Sequence, residues 1–82
     1  MASIRWIRDV MIDGNAHTFE IMMGTSNISD ICYAKIDAQP EIYFQPEMDN
    51  RYSVIETGCN IIKSYFENKE VLTPQGHPFD WK

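Results

Sequence analysis

An α+β fold is predicted: an antiparallel meander sheet of three to four strands that opens with a β-hairpin, one C-terminal helix packed on one face, and an extended C-terminal tail. Three features predict it. Apolar residues alternate with period two on both sides of Asp13-Gly14-Asn15; a single later segment carries apolar residues at spacings of three and four; and the last ten residues, TPQGHPFDWK, hold two prolines and a glycine that stop a helix. The expected division is sheet over 1–46, helix over 47–69 and tail over 70–82, all in one domain, because 82 residues are too few for two.

The hairpin comes first. Asp13-Gly14-Asn15 supplies residues tolerant of positive φ, and either two-residue loop puts Ile4, Trp6, Val10 and Ile12 on one face with Phe19, Ile21 and Met23. The Asp13-Gly14 loop is the better choice. A Gly14-Asn15 loop would set Asp9 directly opposite Glu20, and like charges facing across a ladder are destabilising. Arg5, Asp9, Thr18 and Glu20 then share a second, half-polar face with Ile7, Met11 and Met22.

A loop over Gly24-Thr25-Ser26-Asn27 leads to a third strand from Ile31 to Ile36. Ile31, Tyr33 and Lys35 lie on one side of it, and Cys32, Ala34 and Ile36 make a smaller apolar surface on the other, where a helix can approach closely. Glu41 to Phe44 reads as a short edge strand between Pro40 and Pro46.

Ile55, Cys59, Ile62 and Phe66, with Gly58 and Tyr65 beside them, form one apolar stripe of a helix ending near Asn68. Its start has three candidate caps: Ser53 in a capping box with Glu56, or Asp49 or Asn50 a turn earlier. Gly58 weakens a helix by ~1 kcal/mol relative to alanine, and close approach to the small side of the third strand would be a reason for it. One helix covers part of one face only. The tail is therefore expected to fold back across the second face, with Pro74 and Pro78 keeping it extended and Trp81 as the anchor.

Composition narrows the function classes. At 44% hydrophobic and 23% charged residues the chain folds rather than staying disordered, with a core worth about 3–5 kcal/mol at this size. Cys32 and Cys59 lack metal or disulfide spacing and read as buried thiols of a reducing cytoplasm. The first residues lack the apolar region of a secretion signal, and no apolar run approaches the length needed to cross a bilayer. The expectation is a soluble cytoplasmic protein with no membrane contact.

No chemistry-bearing motif appears. His17, Cys32, Cys59 and His77 are isolated from one another, so no metal is expected. Neither histidine sits by a nucleophile motif, and the four glycines are too scattered to cradle a phosphate, so no cofactor is expected and an enzyme is the minority reading.

Charge is the informative property. The net charge is −5, yet residues 1–8 carry +2 and residues 51–82 carry none; residues 9–50, with eight acids against Lys35, carry −7. Such a surface repels a nucleic-acid backbone and attracts a basic protein. The contact is expected to use Asp13, Glu20, Asp30, Asp37, Glu41, Glu47 and Asp49, with Tyr43, Phe79 and Trp81 as apolar anchors and Met11 and Met22 as further candidates. In size, acidity and lack of catalytic motifs the chain resembles the small phage-encoded antagonists of bacterial defence, such as anti-CRISPR and anti-restriction proteins. That class-level resemblance implies an inhibitor that mimics nucleic acid in a basic site or blocks assembly; it assigns a role to no residue, because no motif is shared. The alternative is a homodimeric assembly protein that packs its uncovered sheet face or its Phe79–Trp81 arm on a second copy.

Overall fold

The computed structural model describes residues 3–24, 31–48 and 50–81. The hairpin sets its frame: β1 (Ile4–Ile12) and β2 (Asn15–Gly24) pair antiparallel with Ile12 opposite Asn15, so the loop is Asp13-Gly14. Both loop residues have positive φ, 53° and 79°, which is the type I′ geometry whose twist matches the flanking strands. Asp9 consequently faces Thr18, whose hydroxyl donates to the Asp9 carboxylate at 3.0 Å, and the repulsive Asp9–Glu20 pairing is avoided.

β3 (Ile31–Ile36) pairs with β2, and β4 (Ile42–Phe44) pairs with β3 as a short edge strand. A fifth strand, β5 (Val71–Leu72), lies along the end of β1, giving the order β4-β3-β2-β1-β5. Beyond the expected three or four strands, the tail thus adds one. Two residues are too short for a period, and Pro74 and Pro78 following close behind mask them. Thr73–His77 then closes a tight loop, with the Thr73 amide donating to the His77 carbonyl at 2.7 Å and the Phe79 amide to the Val71 carbonyl at 3.0 Å.

The helix α1 spans Arg51–Tyr65, shorter than expected at both ends. Asn50 is the cap: its side-chain oxygen accepts the Ser53 amide at 2.8 Å, while the Ser53 hydroxyl accepts the Met48 amide at 3.1 Å. At the other end Phe66 leaves the helical region, and its amide turns back to the Lys63 carbonyl. The buried stripe is Val54, Gly58, Cys59 and Ile62; Ile55 and Phe66 flank it and Tyr65 is exposed. The atoms nearest to Gly58 belong to Ile21 of β2, in place of the expected small side of β3, and its missing Cβ lets the helix sit across both strands.

Trp6, Phe19, Ile21, Val10, Val54 and Ile62 are fully buried and form the centre of the core. Burying each such side chain contributes about 1.5–3 kcal/mol. Phe79 and Trp81 join this same layer: Trp81 stacks on Phe19 with ring centroids 5.5 Å apart, and Phe79 meets Trp6 and Phe19 edge to face. The expected path across the second face is therefore corrected. The tail lies beside the helix, because α1 spans only part of the core face and leaves Trp6 and Phe19 without cover.

Candidate interaction surface

With helix and tail on one side, the other side of the sheet is open. Strand alternation and register put Arg5, Ile7, Asp9 and Met11 of β1 on it, beside Thr18, Glu20 and Met22 of β2, Ile31, Tyr33 and Lys35 of β3, Tyr43 of β4 and Leu72 of β5. Among the described residues no element packs over this face. Ile31 and Tyr43 are 50% and 64% exposed, while Ile7, Met11, Met22 and Tyr33 are half-buried by their neighbours.

Register orders the face into rows. Tyr43, Tyr33, Met22 and Arg5 lie side by side across four strands, with the two tyrosine rings edge to face at 6.0 Å. In the next row Lys35, Glu20 and Ile7 are adjacent. The Tyr33 hydroxyl donates to Glu20 at 2.9 Å, and burial, that bond and the nearby acids push the phenol above its ordinary value. Arg5 and Lys35 balance Asp9 and Glu20 on this face, so it is amphipathic and not acidic.

The expected contact residues are not brought together. Glu20 and Tyr43 lie on the open face. Asp13, in the hairpin loop, accepts Lys69 at 2.6 Å. Asp37, in the turn after β3 with φ 53°, accepts the His17 ring nitrogen at 2.7 Å and the Thr18 amide at 2.8 Å. Burial pushes the Asp37 carboxyl up, but the His17 bond, the Thr18 amide and the His17 charge together outweigh it and hold the group below its ordinary 3.8. Both acids tie the hairpin-loop end of the fold together. Glu41 and Glu47 are exposed on either side of β4; Phe79 and Trp81 are in the core layer; Asp30 and Asp49 lie outside the described residues.

Tyr33, Lys35 and Ile31 were missed as contact residues, although the alternation of β3 already placed them on one side. The missing signal was the location of the tail: only when Trp81 goes to the core face does their side become the exposed one.

Of the groups that could do chemistry, Cys59 is buried and its thiol donates to the Trp81 carbonyl at 3.4 Å. Burial pushes it up to about 11, against the smaller opposing pull of Lys63 and Arg8, so the thiol stays protonated at neutral pH. Among the described residues no three His, Cys, Asp or Glu side chains converge on a point that could hold a metal ion. A groove of about 650 Å3 lies where α1 meets the tail, between Tyr52, Ile55, Cys59 and Trp81, and is also lined by Arg51, Glu56 and Lys63. No helix among the described residues is long and apolar enough to cross a membrane. No protein-family model, curated protein or solved structure matches the chain.

Proposed function

We propose that the protein is a non-catalytic binding module that docks a larger basic protein through the open face of its sheet, inhibiting or regulating it. One observation carries this reading: among the described residues no element covers one side of the five-stranded sheet, and that side bears Tyr43, Tyr33, Met22, Met11 and Ile7 at its centre and edge. Aromatic and methionine side chains on an amphipathic surface are the residue types that anchor protein contacts. The chain's net charge of −5, with Glu41 and Glu47 exposed before and after β4, favours a basic partner and disfavours direct nucleic-acid binding. A nucleic-acid-processing enzyme is the partner class whose basic channel such charge would complement, in keeping with the resemblance to anti-defence inhibitors.

The test is affinity capture with the full chain, followed by titration of whatever basic protein is recovered. Tyr43→Ala with Met22→Asp should abolish binding, and Glu41→Lys with Glu47→Lys should weaken it and flatten its salt dependence. A partner that binds all three chains equally overturns the reading.

A further inference from the structure

β1 presents an open backbone edge over half its length. β5 pairs with it only at Met11 and Ile12, and the described residues place no strand beside Arg5, Ile7 or Asp9. The type I′ loop makes Ile12 and Asn15 a hydrogen-bonded pair, so alternate residues Val10, Arg8, Trp6 and Ile4 spend their backbone groups on β2. The amides and carbonyls of Arg5, Ile7 and Asp9 therefore point away from the sheet. Arg8 supplies a stand-in partner at the middle of this edge, its guanidinium donating to the Ile7 carbonyl at 2.8 Å.

We infer that this edge pairs with the same edge of a second copy of the chain, antiparallel about a two-fold axis at Ile7, joining two sheets into one. Antiparallel pairing of outward-pointing groups must match odd-numbered residues with odd-numbered ones. Pairing about Ile7 sets Ile7 against Ile7, and Arg5 of each copy against Asp9 of the other, twice, on the open face. Opposite charges directly across a ladder are stabilising, and like charges are not. On the core face the same register brings Arg8 opposite Trp6 of the other copy, a contact that Arg8 already makes within its own chain at 4.9 Å from the ring.

Neighbouring registers fail on charge or on space. Moving the axis by one residue toward Asp9 pairs Ile7 with Asp9 and drives Arg5 toward Met11, where Leu72 already sits. Moving it the other way pairs Arg5 with Ile7 and leaves Asp9 opposite Ser3. Only the Ile7-centred register uses the whole of Arg5–Asp9 and pairs both charges that this edge carries on the open face. Charged side chains on an edge usually deter pairing; here their order is complementary under a two-fold, so they select one register. This inference concerns the sheet's edge and goes beyond the proposed use of its face, so either can fail alone.

The experiment is sedimentation velocity on the full chain over a concentration series reaching about 1 mM. A concentration-dependent dimer is expected. Arg5→Asp and Asp9→Arg should each yield monomers, since on the open face one sets acid against acid and the other arginine against arginine, and an equimolar mixture of the two should recover a heterodimer. Wild-type chain that stays monomeric throughout, a dimer indifferent to both substitutions, or folded variants that do not recover on mixing overturns the inference. Amide exchange on the wild type provides a readout without substitutions: the Arg5, Ile7 and Asp9 amides should slow as chain concentration rises, and exchange that does not change is equally adverse.

Discussion

Gly58 of α1 stands so close to Ile21 of β2 that a Cβ at position 58 would lie 2.8 Å from Ile21 Cδ1 and Cγ1 and 2.9 Å from Cγ2. Ile21 is fully buried and both branches of its side chain, Cγ1 and Cγ2, are among the atoms met, so a rotation about χ1 does not clear the site. Gly58→Ala gains ~1 kcal/mol of helix propensity but overpacks the core by about 1–3 kcal/mol. A net loss of stability is expected in urea titrations, and Ile21→Ala should partly relieve it in the double variant, which an additive outcome would refute.

Phe79 and Trp81 cover Trp6 and Phe19, so the tail is part of the core layer. Ending the chain at Thr73 removes two large apolar contacts worth about 1.5–3 kcal/mol each when fully buried, comparable to the stability of so small a domain. The truncated chain is expected to lose its cooperative thermal transition by circular dichroism. Trp81→Ala alone should lower the midpoint while leaving the transition cooperative.

Asn50 caps α1 through the Ser53 amide. Asn50→Ala is expected to cost ~1 kcal/mol, and Asn50→Ser much less, by chemical denaturation. Ser53→Ala tests a second candidate cap; its hydroxyl accepts the Met48 amide, which precedes the helix, so its cost should be the smaller.

Asp37 is held below its ordinary 3.8 in the folded chain. A depressed carboxyl contributes stability that is present above its unfolded value and lost as pH falls through the folded one. Stability should therefore decline below about pH 4. In Asp37→Asn, which still tolerates the positive φ at this turn, the decline should be shallower. Equal slopes in the two chains would remove Asp37 as the source.

The Cys59 thiol is buried and lies far above neutral pH in its titration. Iodoacetamide at pH 7 should leave it unmodified in the folded protein and alkylate it in denaturant, as read by mass spectrometry on the Cys59 peptide.

Local chemistry alone determined much of this protein. The positive-φ tolerance of Asp13-Gly14 and the repulsion of Asp9 from Glu20 are properties of neighbouring residues, and they set the hairpin register from which the two faces of β1 and β2 follow. The alternation of Ile31–Ile36 is likewise local, as is the existence of one amphipathic helix, so the α+β class and its order of elements were legible. Which cap starts α1, which strand Gly58 touches and which face receives the tail are decided by tertiary packing. The last depends on how much of the core face α1 leaves bare, a quantity set by its crossing of β2 and β3 and written in no single segment. Placing Trp81 there, against Phe19, is what opens the opposite face around Tyr43 and Tyr33. The fold also scatters the acids of residues 9–50: Asp13 and Asp37 become ties to Lys69 and His17, because charges spread along a chain form one surface only if the fold brings their strand ends to one side.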